Sequence, residues 1–282
     1  MATDGQKAIA KAEFAASLAK FVSGLSKRVC TEDGQWAIKG FIDLHKNVYS
    51  ISSDTKVTSK ILEIQIFPEL LTFASEEDFD LILTEHQNYY PDMSFVSKKD
   101  SDIKFAVDLK TTYRLPRCPH QCNGFTLGSH GKYFTERTSL KNIRFPYGTY
   151  SGHFCLGLIY DRAESATIDE TVKVPLHALS SIASVMSNLQ FFVAEKWQIA
   201  SDKQGSNNTA NIGSIKLISD VVSGKGMFAN LGEEWFDEYW INYAKIQVAN
   251  DKGEFKAITT LKAFVEYRKG DASLILPRRT KD

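Results

Sequence analysis

The sequence predicts one α/β domain, with strands and helices interleaved along the chain. Three observations predict it. Apolar residues recur at helical spacing in 8–26 and again after Ser53-Asp54-Thr55-Lys56. Residues 93–96, 105–113 and 150–161 are short runs rich in β-branched and aromatic side chains. No internal repeat, low-complexity tract or linker-like segment divides the 282 residues, a length that buries a sizeable core.

In chain order, Ile9, Phe14, Leu18, Phe21 and Leu25 form the apolar stripe of the first helix. Trp36 to Ser50 alternates as strands do, with turn signals at Asp33-Gly34 and Gly40. Ser53 to Lys56 offers N-cap residues ahead of Val57, Ile61 and Ile64, and Pro68 is expected to end or restart that helix. Residues 93–96 and 105–113, joined by the polar 97–102, read as a β-hairpin. Residues 114–123 are expected to be an irregular loop, 150–161 a buried strand, 172–190 a turn at Pro175 with a helical stretch, and 191–200 a strand. Residues 205–214 read as a polar, glycine-bounded loop, and Phe236, Tyr239, Trp240 and Tyr243 lie at helical spacing.

Composition excludes several classes. With 43% hydrophobic and 24% charged residues, neither a disordered nor a fibrous chain is expected. Lys7, Lys11, Glu13 and Lys20 interrupt any secretory apolar run, and no stretch approaches a membrane span. A soluble protein without membrane association is expected. Cys30, Cys118, Cys122 and Cys155 do not make a disulfide framework in a chain this long. Cys118-Pro119-His120-Gln121-Cys122 has two readings: a zinc site needing four ligands, for which only His130 stands near as the fourth, or a loop with reduced thiols. Net charge is zero, 34 basic against 34 acidic residues, which argues mildly against a nucleic-acid binder. Residues 244–282, however, carry nine Lys/Arg against five Asp/Glu.

The chemistry concentrates in Lys104 to Tyr113. Asp108 and Lys110 lie two apart, so on a strand both leave one face while Phe105, Val107 and Leu109 leave the other. Tyr90-Pro91-Asp92 brings a second carboxylate from just upstream. Phosphodiester hydrolysis needs an attacking water, stabilisation of charge on phosphorus and help for the leaving oxygen. Mg²⁺ held by carboxylate oxygens supplies all three. On this reading Asp92 and Asp108 hold the ion, and Lys110 orients or activates water and stabilises the phosphate. The competing reading is a surface ion pair, since Asp-x-Lys on a strand is common. Glu63 shares a helix face with Ile66, Phe67 and Leu70, and is either a partly buried carboxylate in need of a partner or an acid at the edge of that face.

The flanks narrow the choice. Ser53-Asp54-Thr55-Lys56-Val57, Gln87-Asn88 with Tyr90-Pro91-Asp92, and Asp108-Leu109-Lys110-Thr111-Thr112-Tyr113 resemble the EcoRV family of type II restriction endonucleases, within the PD-(D/E)XK nuclease superfamily. So do Phe125-Thr126-Leu127-Gly128, Asn208-Thr209 with Asn211-Ile212-Gly213-Ser214-Ile215, Gly224-Lys225-Gly226, and Tyr239-Trp240 with Asn242-Tyr243, in the same order. The resemblance implies a mixed central β-sheet flanked by helices, and a bacterial, cytoplasmic homodimer that grips double-stranded DNA in a cleft. It implies Mg²⁺, with Mn²⁺ as a substitute, and a cognate DNA methyltransferase in the same system. It implies cleavage of a short palindrome, GATATC or a related site, to blunt ends with 5′-phosphates.

Residue by residue, Asp92 and Asp108 match the metal-binding acids, Lys110 the catalytic lysine and Glu63 the helix acid that supports the metal site from a distance. Thr55 and Thr111 match residues at backbone phosphates, Gln87 and Asn88 a loop near the minor groove, and Gly205, Asn207, Asn208, Thr209 and Asn211 the recognition loop 205–214. The major groove distinguishes all base pairs, which suits the amide and methyl groups of Asn208 and Thr209. Segments 34–50 and 165–190 are expected to contribute a dimerisation subdomain within one nuclease domain spanning 1–282. The chain departs from the family at Asn207, where glycine is usual, and at Ala210, where threonine is. It also has a longer segment between Lys110 and Phe125 and a divergent basic tail at 244–282. Within the same fold, a repair or mismatch nuclease and a DNA-binding protein that does not cut remain the alternatives.

Overall fold

The computed structural model describes residues 2–86, 88–164, 168–205, 210–249 and 253–277. It opens with helices α1 (Asp4–Ser23) and α2 (Leu25–Val29). Thr3 caps α1: its hydroxyl accepts the Gln6 N–H at 3.3 Å, and the Gln6 side chain accepts the Thr3 N–H at 2.8 Å. The helix therefore starts ahead of the expected 8–26 span, and it breaks at Gly24. Strands β1 (Gly40–Ile42) and β2 (Asn47–Ser50) follow, then α3 (Thr55–Glu76). Asp54 caps α3 by accepting the Lys56 N–H at 2.9 Å.

Pro68 does not end α3, contrary to expectation. The N–H it lacks would have met the Ile64 carbonyl. Both residues lie on the exposed face, where that carbonyl is open to solvent rather than sealed in the core. On the opposite face Ile61, Leu62, Ile66, Leu70 and Phe73 are buried and hold the helix in place.

The central sheet contains β3 (Phe79–Leu83), β4 (Met93–Ser97), β5 (Lys104–Leu115), β6 (Cys118–Cys122), β8 (Gly152–Arg162) and β10 (Met186–Glu195). Its order is β10-β8-β5-β4-β3, with β6 paired to the far end of β5. β3, β4 and β5 run antiparallel, β5 and β8 parallel, and β8 and β10 antiparallel, so the sheet is mixed. The hairpin of β4 and β5 is as the alternation predicts. Residues 114–123, expected to be irregular, form a second hairpin instead: Arg114 pairs with Cys122 and Leu115 with Cys118. The buried Cys122 thiol donates to the Lys216 carbonyl at 3.5 Å.

Between β6 and β8 lie β7 (Thr126–Ser129) and α4 (Lys132–Thr135). After β8, strand β9 (Lys173–Pro175) joins β1 and β2 in a three-stranded sheet, so the segments expected to form a dimerisation subdomain meet. β10 starts at Met186 and stops at Glu195, and a single turn, α5 (Lys196–Ile199), interrupts the strand expected over 191–200. β11 (Ala200–Gln204) pairs with β12 (Asn211–Ser214), which in turn pairs with β7. The C-terminal part comprises α6 (Ile218–Val222), α7 (Glu233–Asn242), β13 (Gln247–Ala249), β14 (Phe255–Ala257) and α8 (Leu261–Tyr267). No helix among the described residues is long and apolar enough to cross a membrane.

Each face of the central sheet carries its own core. Phe105, Val107, Phe154, Leu156 and Leu158 join Phe14 and Leu18 of α1 and Leu62, Ile66 and Leu70 of α3. The Phe14 ring stacks on Phe105 with centroids 4.2 Å apart. Truncating a side chain so placed costs about 3–5 kcal/mol. Ala106, Cys155, Ile159, Phe192 and Ala194 face the other way and pack with Phe236, Tyr239 and Trp240 of α7. This second face also carries Asp108 and Lys110.

Candidate active site

Alternation along β5 sends Ala106, Asp108 and Lys110 to the α7 side and Phe105 and Val107 to the α1 side, as the spacing predicts. Register then builds the floor. Asp108 lies beside Cys155 and Lys110 beside Gly157 on β8, and Ala194 and Phe192 on β10 continue the row. Small side chains at 155, 157 and 194 leave Asp108 and Lys110 as the functional groups of that surface.

Asp92 immediately precedes β4, whose Met93 pairs with Val107. Two main-chain bonds then tie the acids together. The Asp92 N–H donates to Asp108 Oδ1 at 3.0 Å, and the Leu109 N–H donates to Asp92 Oδ2 at 2.9 Å. Lys110 Nζ lies 3.0 Å from Asp108 Oδ2 and 3.7 Å from Asp92 Oδ2. Burial pushes the Asp92 carboxyl up to about 6, with Lys110 opposing that shift and Asp108 adding to it. Burial also disfavours the Lys110 ammonium, but Asp108 and then Asp92 outweigh it and raise its pKa above the ordinary lysine value. Two carboxylates therefore share one cation, which leaves a net negative, oxygen-rich site. Such a donor set suits a hard divalent cation.

A cavity of about 450 Å³ opens onto this group. Its walls include Asn88 and Asn211, both expected at DNA, and Gly128 of the Phe125–Gly128 block, together with Lys132, Tyr133 and Lys141, which no sequence pattern singles out. The Lys132 and Lys141 side chains come from a segment with no spacing signal, and only the fold brings them to the cleft.

The remaining site candidates fall in three places. Glu63 is not in contact with the acid pair: it pairs with Lys60 at 2.7 Å, although its charge is felt at Asp92. Among the described residues no three His, Cys, Asp or Glu side chains converge as one metal-ligand group. Thr111 projects from the face opposite Lys110, where its hydroxyl bonds the Ser59 hydroxyl. Ser59 in turn donates to the Thr55 carbonyl at 2.5 Å, so Thr55 and Thr111 form one patch at the start of α3. Gly205 closes the β11–β12 pair by donating its N–H to the Asn211 carbonyl at 2.8 Å. Gln87, Asn207, Asn208 and Thr209 lie outside the described residues.

Comparison with known proteins decides what this site belongs to. The family model described as restriction endonuclease EcoRV matches residues 32–269. The chain belongs to the EcoRV family of restriction endonucleases. It is 34% identical over 233 residues to the type II restriction enzyme EcoRV of Escherichia coli, covering 82% of this chain and 92% of that one. A solved structure, NlaIV restriction endonuclease, is similar over 80% of this chain and 84% of its own, with 15% identity and a TM-score of 0.38. The mixed sheet with flanking helices is thus a restriction-endonuclease-like fold, and the protein is a type II, site-specific deoxyribonuclease of the EcoRV type. EcoRV-like enzymes generally use a divalent metal.

Proposed function

We propose that this enzyme is a Mg²⁺-dependent homodimer that cuts both strands of a short DNA palindrome, GATATC or a related site, to blunt ends with 5′-phosphates. The convergence of Asp92, Asp108 and Lys110 on one open cavity carries the reading. Asp92 and Asp108 hold the ion, with Glu63 assisting from α3. Bound there, it supplies Lewis-acid polarisation and neutralises the acids toward phosphate. Mn²⁺ substitutes in that role.

Lys110 works as a cation. The two carboxylates keep its proton in place, so it orients the attacking water and stabilises negative charge on phosphorus without serving as the resting base. Lys132 and Lys141 meet backbone phosphates along the cavity wall. Thr55 and Thr111 meet phosphates on the α3 side, and Gln87 and Asn88 approach the minor groove. Gly205, Asn207, Asn208, Thr209 and Asn211 form the reading loop in the major groove. The unusual Asn207 and Ala210 make that loop the place where sequence preference differs from its relatives.

The three-stranded sheet of β1, β2 and β9 supports the dimer. Phe41 is 55%, Ile42 57% and Leu44 99% exposed there, an apolar surface suited to a two-fold partner. A two-fold dimer reads a two-fold site. A cognate methyltransferase protects the host's own copies of that site, and the enzyme acts in the cytoplasm.

The test is digestion of a plasmid of known sequence with Mg²⁺, followed by mapping of the ends. Discrete blunt fragments at one palindrome, lost in Asp108→Ala, are expected. A smear or nicks alone would point to a repair nuclease, and binding without cutting under Mg²⁺ or Mn²⁺ to a non-catalytic DNA-binding protein.

A further inference from the structure

Behind the cavity wall sits a lysine that the cleavage site does not account for. Lys196, the first residue of α5, is 4% exposed. Its Nζ lies 5.0 Å from the Tyr90 ring centroid, 5.2 Å from Phe134 and 5.6 Å from Tyr147. It forms no hydrogen bond with any described group. An amino group so placed forgoes its hydration for ring faces alone. An apolar side chain of the same length would fill this space at less free-energy cost.

The rings are not a random lining. Tyr90 opens the Tyr90-Pro91-Asp92 turn and stacks on Tyr133 at 5.3 Å, and both residues line the cavity. The Tyr90 hydroxyl bonds His153 Nδ1 at 2.9 Å, and the His153 ring stacks on Tyr147 at 3.7 Å. Gly128, which lines the cavity with Tyr90 and Tyr133, packs close to the amine: a Cβ added there would stand 3.3 Å from Lys196 Nζ. Burial lowers the Lys196 pKa to about 8, with Asp108 the first of the charges that oppose the shift. The ammonium is thus an electrostatic neighbour of Asp108.

We infer that Lys196 is a positioning residue for DNA cleavage, a caged cation that clamps the Tyr90 ring, steadies the turn carrying Asp92 and sets a positive charge behind the acids. The inference rests on the nuclease reading of Asp92, Asp108 and Lys110. Its contribution falls on the chemical step, since Lys196 is buried and does not meet DNA. A preorganised charge in a dry layer acts where negative charge grows during reaction.

Lys196→Met keeps length and apolar bulk while removing the charge. Single-turnover cleavage should fall by about 10–100-fold, the usual effect of losing a supporting group behind a reactive site. Affinity for the same duplex without divalent metal should be unchanged, and the melting temperature equal or higher. A folded Lys196→Met enzyme cutting at the wild-type rate would overturn the inference, as would loss of rate together with a lowered melting temperature, which marks a packing role. Should that variant not fold, Phe134→Leu decides: it opens the cage on one side, and must slow cleavage with metal-free DNA affinity intact. An unchanged rate there also overturns the inference. Wild-type protein that cuts no duplex would overturn the nuclease reading, whereas wild-type cutting beside an equally fast variant overturns only the role of Lys196.

Discussion

Replacing Asp92 by asparagine should make the metal-free protein more stable while removing its activity. The Asp92 carboxyl stands at about 6 against an ordinary 3.8, so folding disfavours its charged form. The shift, at ~1.4 kcal/mol per pKa unit, sets an upper limit of ~3 kcal/mol. The side chain is 36% exposed, and water screening reduces the figure to ~1–2 kcal/mol. The sign follows from proton binding: between 3.8 and 6 the folded state holds more protons than the unfolded one. The penalty is therefore complete above pH 6 and disappears as pH falls toward 3.8. The asparagine carboxamide would still accept the Leu109 N–H, so the substitution isolates the charge. Melting in EDTA at pH 7.5 should show Asp92→Asn about 2–5 °C above wild type, with the gap closing at pH 4. Cleavage with Mg²⁺ should fall by about 10³-fold or more, the equivalent of several kcal/mol of missing Lewis-acid help. A variant that melts below wild type at pH 7.5, or a gap insensitive to pH, would refute the reasoning.

Three further predictions concern the scaffold, the cleft and the dimer. A Cβ at Gly157 would stand 2.1 Å from the Phe192 ring, so Gly157→Ala should lower stability by about 1–3 kcal/mol, seen as an earlier urea midpoint with an unchanged slope. Lys132→Ala combined with Lys141→Ala should weaken binding to all duplexes alike, and the salt dependence of log K should flatten by about 0.9 for each phosphate no longer neutralised. Sequence-selective weakening at constant salt slope would count against a phosphate-binding role. Phe41→Asp combined with Leu44→Asp should give a folded monomer in sedimentation that no longer cuts both strands; a persistent dimer would place the interface elsewhere.

Local pattern was enough for β5. The alternation from Phe105 to Lys110 set two faces, and nothing in the tertiary structure competes with it. The α7 aromatics were legible for the same reason, since helical spacing puts Phe236, Tyr239 and Trp240 on one buried stripe. Pro68 misled because the proline rule concerns a hydrogen bond, and on an exposed face the freed carbonyl is open to solvent. The β6 hairpin was hidden by Pro119 and by its polar, half-exposed composition, although Arg114 and Cys122 pair. Lys132, Lys141 and Lys196 were not legible at all. Each is an ordinary lysine in sequence, and its setting arises from segments brought together across the fold. Glu63 shows the reverse: the family pattern singles it out, while its nearest charged partner is Lys60.

The reciprocal main-chain bonds between Asp92 and the Asp108–Leu109 segment have a consequence for how such a site changes over evolutionary time. Each acid is held by an amide of the other acid's segment. Their separation is thus a property of sheet pairing, already set before any ion or DNA arrives. A carboxylate can then migrate along β5 only in steps of two residues, because a single step turns it into the phenylalanine core on the far side. Whatever sequence the proposed reading loop takes, the spacing of the acids stays locked to the hairpin of β4 and β5.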